Sequence, residues 1–489
     1  MNKVLLCILD GFGYRTETFG NATTSAEFIN SLIHSGNTAF LDASGESVGL
    51  PHGQCGNSEV GHFTIGTGRI LKQKLPLIDD AIRDGSLEKN ENLNKFIGGI
   101  HGNACHLMTL FSNGGVHSSL NHFYWAVSYL RRKNIDIRTH LFLDGRDVGF
   151  RDALDTLVQA LSSGNLQLSE IATIQGRFFA MDRDNRWERT QEASDAIIDA
   201  KASYHTEDPI SLIQNFYEER ISDEVIPPIT ISNYSGASKG DSFWMLNFRT
   251  DRIKQILTKI LSEPSEYRLL DMVNCGETID QNATILFGDE EIRNPLGEVL
   301  AMNGIHQLRI AETEKYAHVT YFFDGGKDTT YPNEERILIP SPRVDDYSRT
   351  PDMSSSKITE EIINAMKVGT HEVIISNYAN ADMIGHTGNM EATQASLKHL
   401  DAHITEIIRR SEEYGYTVIL TADHGNAENM MKPDLSIHKN HTCSNVPFVI
   451  YPSSMEIKRS HGQLSDIAPT ILKILNIDPP REMTGTSLI

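Results

Sequence analysis

Short apolar runs without polar alternation recur along the chain, and most stop at a polar residue beside glycine or asparagine, the pattern of parallel strands buried on both faces. Val4–Leu9 runs into Asp10-Gly11-Phe12-Gly13, Val373–Ser376 into Asn377, Val418–Thr421 toward Asp423-His424-Gly425, and Val446–Tyr451 into Pro452. A second set lies mid-chain. Leu107–Phe111 leads to Gly114-Gly115-Val116-His117, Leu141–Leu143 to Asp144-Gly145-Arg146-Asp147, Ile171–Ile174 to Gly176-Arg177, and Phe243–Asn247 to Arg249. Helical periodicity over 152–162 and 396–409 alternates with these runs, which predicts an α/β fold. Ligands of open α/β sheets bind beyond the carboxyl ends of the strands. The outer strands lead to acids and histidines, the middle ones mostly to arginines. This predicts two α/β domains, with residues 72–304 inserted into a discontinuous outer domain of residues 1–71 and 305–489.

Composition narrows the partners. A chain of 489 residues can bury two cores, so it needs neither disulfides nor metals merely to fold. Its 44 basic and 65 acidic residues leave a net charge of −21, which argues against a surface built to coat nucleic acid or anionic lipid. Any basic site must be local. The five cysteines, Cys7, Cys55, Cys105, Cys275 and Cys443, form no CxxC pair and predict reduced thiols. The apolar run after Lys3 stops at Asp10, too soon for a signal peptide, and no run approaches the roughly 18 residues of a membrane span. A cytoplasmic protein with no membrane partner is expected.

The outer segments carry candidate metal ligands. Asp382 and His386 stand four apart, close enough to share a cation on a helix or tight turn. Asp423-His424 is a second acid–histidine pair directly after a strand, His441 precedes another strand, and Asp10 comes after the first. Three carboxylates and three imidazoles suit two divalent ions of the manganese or zinc type. Singly, each has a plainer reading as a cap, core or surface residue.

Ser58 lies in the glycine-rich stretch Gly53–His62 at an expected helix start. It could cap that helix, although Gly61 occupies the place of the glutamate that would complete a capping box. It could instead be a nucleophile toward phosphorus, with helix N–H groups receiving the phosphoryl oxygens. Cys55 is the rival nucleophile. The insert repeatedly sets arginine beside aspartate, at Arg146-Asp147, Arg177, Asp182-Arg183, Arg249 and Asp251-Arg252. Such pairs are often plain surface salt bridges, but placed after strand ends they suit a pocket for a carboxylate and a phosphate. His117 and Asp147 are candidates to move protons there, and Lys315, just past the insert, to bridge to the outer domain.

Several long segments in one order resemble cofactor-independent phosphoglycerate mutases of the alkaline phosphatase superfamily, over essentially the whole chain. They are Leu9–Gly13, Gly56–His62, Gly114–Ser118, Asp144–Asp147, Gly176–Arg189, Asn247–Arg252, Glu314–His318, Ile339–Pro342 and Thr421–Glu428. The resemblance implies a phosphatase-like metal domain with an inserted phosphotransferase domain. It implies interconversion of 3-phosphoglycerate and 2-phosphoglycerate through a phosphoserine on Ser58, without a bisphosphoglycerate primer. It further implies two Mn2+, one held by Asp382, His386 and His441, the other by Asp10, Ser58, Asp423 and His424. Substrate would be bound by His117, Arg146, Asp147, Arg177, Arg183, Arg249, Arg252 and Lys315, with Asp147 as proton carrier and Arg249 also catalytic. A monomer is expected, whose domains close to keep water from the intermediate. Thr250 stands where the family usually reads proline, Asp324 where it often reads asparagine, and Thr442-Cys443-Ser444-Asn445 where it usually reads Thr-Thr-Asn.

Overall fold

The computed structural model describes residues 2–263, 267–289, 291–452 and 454–489. The chain forms two compact units, Met1–Gln73 with Glu291–Ile489, and Lys74–Glu290. The second junction falls before the helix Leu296–Met302 rather than near Gly304. Leu296, Val299 and Leu300 pack in the first unit's core, which draws their helix into that unit.

The first unit is built on an eight-stranded sheet, in spatial order Glu334–Ile339, Gln307–Glu312, Val373–Tyr378, Lys3–Leu9, Tyr416–Thr421, Val446–Tyr451, Thr38–Asp42 and His461–Gln463. Lys3–Leu9 pairs in parallel on both sides, with Val4 opposite Val373 and Leu5 opposite Val418. Its six apolar residues are buried because helices cover both faces of such a sheet. The long helix Met390–Tyr414 shows how a cover is made. Leu397, Leu400, Ile404, Ile407 and Ile408 recur at helical spacing and are buried, the Asn389 side chain caps the start by accepting from Ala392 N, and Gly415 ends it at φ 74°. Truncating Leu400 to alanine would cost about 2–5 kcal/mol.

One strand corrects the reading of an all-parallel set. Val446–Tyr451 runs antiparallel to both Tyr416–Thr421 and Thr38–Asp42. An apolar run records burial, not direction. The reversal has a consequence for chemistry, because the start of this strand lies at the edge where its antiparallel neighbours end. His441, ahead of the strand, thereby joins residues that come after the others.

The second unit has its own eight-stranded sheet, ordered Ala283–Ile285, Arg268–Asp271, Ser242–Met245, Cys105–Leu110, Ile137–Leu143, Ile171–Gly176, Ile229–Ile231 and Tyr204–Thr206. The six strands from Ala283–Ile285 through Ile171–Gly176 are mutually parallel, and Ile229–Ile231 is antiparallel to Ile171–Gly176. Among the described residues no helix is long and apolar enough to cross a membrane.

Candidate active site

In the first unit the acids and imidazoles converge beyond the sheet. Asp10 comes directly after Lys3–Leu9, Asp423 and His424 come after Tyr416–Thr421, and Asp382 lies on the short helix Asn380–Gly385 after Val373–Tyr378. Gly11 makes this approach possible. It sits at φ 76°, and a Cβ there would come within 2.8 Å of the Asp382 backbone.

Ser58 is the first residue of the helix Ser58–Thr67, and Asn57 is its cap, accepting from Val60 N. The Ser58 hydroxyl is therefore not used for capping. Its Oγ lies 3.0 Å from His424 Nε2 and 3.3 Å from Asp10 Oδ1, and accepts from Lys315 Nζ at 2.7 Å. His424 Nδ1 faces the Gly425 carbonyl at 3.2 Å, so Nδ1 carries the proton and Nε2 offers a lone pair to the serine. Cys55 is placed elsewhere. Its sulfur faces Cys443, and burial together with that neighbour pushes its thiol up to about 12.

Lys315, just past the strand Gln307–Glu312, belongs to this cluster. Its ammonium donates at 2.7 Å to each of Asp10 Oδ1, Asp382 Oδ2 and Ser58 Oγ. Burial acts to lower its pKa, but Asp10, Asp382 and Asp423 outweigh that and raise it. Burial likewise opposes ionisation of Asp382, yet Lys315 and the imidazoles hold its carboxyl well below the usual range. Asp10 is pushed up, first by burial and then by Asp423.

The histidines show what this cluster fits. His386 Nδ1 donates to Lys439 O at 2.7 Å and His441 Nδ1 to Gly56 O at 2.9 Å. Both Nε2 atoms are then acceptors, yet they face each other at 3.0 Å and lie 3.1 and 3.2 Å from Asp382 Oδ1. Three acceptors so close, with both imidazoles oriented by an outer hydrogen bond, suit a cation. Asp10, Asp382 and His424 form another such group, and Asp10, His62 and Asp423 a third. Three buried carboxylates against the one ammonium of Lys315 leave a negative charge that divalent ions would offset. Oxygen and imidazole donors without thiolate suit a borderline-hard ion.

Three residues here had no assigned role in the sequence. His62 Nδ1 lies 2.9 Å from Ser58 O and 3.2 Å from Asp423 Oδ2, while its Nε2 accepts from Asn377 at 3.0 Å. Asn377 also donates to Asp10 Oδ2 at 2.7 Å, and Asn426 to Asp382 Oδ1 at 3.2 Å. The available signal was spacing, since His62 is four after Ser58 and so on the same helix face. The amides gave none.

In the second unit Asp144 organises the turn after Ile137–Leu143. It accepts from Ser112 Oγ at 2.6 Å and from Asp147 N at 3.0 Å, and pairs with Arg177 at 2.5 Å. Arg177, buried, also holds Asp147 at 2.6 Å and lies 3.1 Å from His117 Nε2. Burial, then Arg177, lowers His117 to about 4, so it is neutral at physiological pH. Asp251 gathers Arg183 at 2.9 Å and Arg249 at 3.3 Å, while Arg146 reaches Glu224 at 3.7 Å. Arg252 donates to Met181 O at 3.3 Å, and burial, then Arg177, Arg183 and Arg146, lowers its pKa. Guanidinium groups that destabilise one another's charge suit an anion.

A buried carboxylate–imidazole centre with a serine at a helix start defines a metal-dependent enzyme, and the chain belongs to the metalloenzyme superfamily, which it matches over residues 2–479. Within it, the 2,3-bisphosphoglycerate-independent phosphoglycerate mutase of Ehrlichia ruminantium (strain Welgevonden) is 43% identical, over 100% of this chain and 99% of that protein. That of Methanococcoides burtonii is 41% identical over 99% and 98%. A solved structure of Leishmania mexicana phosphoglycerate mutase aligns with a TM-score of 0.62 at 27% identity, covering 100% and 97% of the two chains. The chain thus belongs to the 2,3-bisphosphoglycerate-independent phosphoglycerate mutases, isomerases within that superfamily.

Proposed function

We propose that this chain interconverts 3-phosphoglycerate and 2-phosphoglycerate through a phosphoserine on Ser58, without a bisphosphoglycerate primer. The observation that carries the reading is the setting of Ser58 Oγ, free of capping duty and held among Lys315, His424 and Asp10. Two divalent ions, Mn2+ by donor chemistry, would be held by Asp382, His386 and His441 and by Asp10, Ser58, Asp423 and His424, supplying Lewis-acid charge for the phosphoryl oxygens and the serine oxygen. Lys315 offsets negative charge on Ser58 Oγ as that oxygen attacks phosphorus, and the helix start favours the incoming anion.

In the other unit the arginines take the rest of the substrate. His117, Arg146, Arg183, Arg249 and Arg252 bind its carboxylate and phosphate, while Arg177 orients Asp147. With the ions bound, Ser58 would enter as the alkoxide, its hydroxyl proton having been released to solvent; as the serine–phosphorus bond forms, the bond from phosphorus to the glycerate oxygen breaks, and Asp147 gives that oxygen a proton. The glycerate's other hydroxyl then gives its proton to Asp147 and recovers the phosphoryl group. Phosphate returns to the same molecule, so no primer is consumed. The protein is read as a cytoplasmic monomer whose partners are these small molecules.

The test is incubation of Mn2+-loaded protein with 3-phosphoglycerate. The expected product is 2-phosphoglycerate, and acid quenching should leave phosphate on the Ser58 peptide. Free phosphate as the sole product, or label on Cys55, would defeat the proposal.

A further inference from the structure

Two thiols that the reaction does not use stand together beside the reacting groups. Cys55 lies on the loop leading into the Ser58 helix, and Cys443 on the loop just after His441. They are 388 positions apart in the chain, yet their sulfurs are 2.6 Å apart, nearer than non-bonded sulfurs rest. Cys443 is exposed and Cys55 partly so, whereas Cys7, Cys105 and Cys275 are buried. An oxidant in solution therefore meets this pair first.

The His441 loop already touches the segments around Cys55. His441 Nδ1 donates to Gly56 O at 2.9 Å, and Ser44 Oγ to Cys443 O at 3.4 Å. A backbone bridge ties Thr442 N to Gly425 O at 3.0 Å, beside His424. A covalent link between positions 55 and 443 would bind the nucleophile's loop to that of a histidine whose Nε2 faces Asp382.

We propose that Cys55 and Cys443 form a reversible disulfide that pins the His441 loop to the Ser58 loop and slows the escape of a divalent ion from the Asp382–His386–His441 group. With a peroxide as oxidant, the Cys443 thiolate attacks one peroxide oxygen. The O–O bond breaks, the departing oxygen leaves as water after taking a proton, and Cys443 becomes a sulfenic acid. The Cys55 sulfur then attacks the Cys443 sulfur, the S–O bond breaks, and hydroxide leaves as water with the Cys55 proton. Two thiols and one hydrogen peroxide give one disulfide and two waters, and a dithiol reverses the product by exchange. For an ion to leave, its bonds to the ligands must break, and the link limits how far His441 can move from the other two. The pairing itself does not depend on the reaction proposed above.

Mn2+-loaded full-length protein, treated with hydrogen peroxide and digested without reductant, should yield a peptide joining Cys55 to Cys443. Two titratable thiols should disappear and return with dithiothreitol. Loss of Mn2+ to EDTA should slow several-fold on oxidation, while in Cys443→Ser and Cys55→Ser peroxide should leave that rate unchanged. Sulfenic or sulfinic acid on Cys443 with Cys55 still free, a disulfide between two chains, or equal release from oxidised and reduced protein would overturn the proposal. Thiol mapping needs no turnover, so its failure is read separately from that of the isomerase reading.

Discussion

In the first unit the side chains gathered beyond the sheet are carboxylates and imidazoles with almost no exposure, Asp10, Asp423 and His424 all at 0%. In the second they include guanidinium groups in the open, with the side chains of Arg146, Arg183 and Arg249 exposed by 52%, 45% and 53%. Both units use a mostly parallel eight-stranded sheet. The contrast therefore comes from the residues placed just past each strand end, not from the architecture. Buried acids lose hydration permanently and need a resident cation, so that centre is assembled before substrate arrives. Exposed arginines keep their hydration until an anion displaces it, which suits a ligand that must bind, turn and leave.

If this division of labour is right, damage to the buried centre should cost far more than damage to the open one. Ser58→Ala should lower isomerisation by more than about 10³-fold, because among the described residues no other hydroxyl bonds Lys315 and His424 at that point. Rates measured by coupled assay, with the Mn2+ content of both proteins determined, would check it. Exhaustive chelation should do the same, and Mn2+ should restore activity better than Mg2+ because imidazoles favour the softer ion. A Ser58→Ala enzyme within tenfold of the parent would break the comparison.

In the open cluster the effects should be graded by contact. Asp147→Asn should cost about 10²–10⁴-fold, the span of a lost general acid–base group, in both directions of the reaction. Arg249→Ala should cost only about 10–100-fold, as expected for one charge-assisted bond, and should raise the proportion of free phosphate. Equal losses for Arg249→Ala and Ser58→Ala would show that the two clusters do not differ in kind.

The strands were legible in the sequence because burial on both faces leaves an unbroken apolar run, and the polar residues that end such a run point to the ligand edge. The direction of Val446–Tyr451 was not legible, since antiparallel burial looks the same. His441 could be named a candidate, yet only the reversal explains how a residue before a strand meets residues after others. Lys315 could be named as a bridge to the outer domain, but its place beside Asp10 depends on Gln307–Glu312 pairing with Val373–Tyr378. Asn377 and Asn426 act through hydrogen bonds made across the sheet order, which no local pattern encodes.

The smallest predicted effect concerns stability, and it separates the units by probe as well as by chemistry. The sequence has three tryptophans, Trp125, Trp187 and Trp244, all within Lys74–Glu290, so tryptophan fluorescence tracks the second unit alone. There Asp271 ends the strand Arg268–Asp271 fully buried, accepting from Cys275 Sγ at 2.9 Å, and burial pushes its carboxyl up to about 7. In the unfolded chain it titrates near 4. Between those values the folded state keeps a proton that the unfolded state releases, so stability falls as pH rises from about 4 to about 7 and the loss is complete above that. Asp271→Asn cannot ionise and should escape this loss, gaining about 1–3 kcal/mol on the parent between pH 4 and pH 8. Fluorescence-monitored urea unfolding of both proteins across that range measures the difference directly. A stability difference between variant and parent that stays constant with pH would show that Asp271 is ionised alike in both states, and that burial in the second unit carries no such cost.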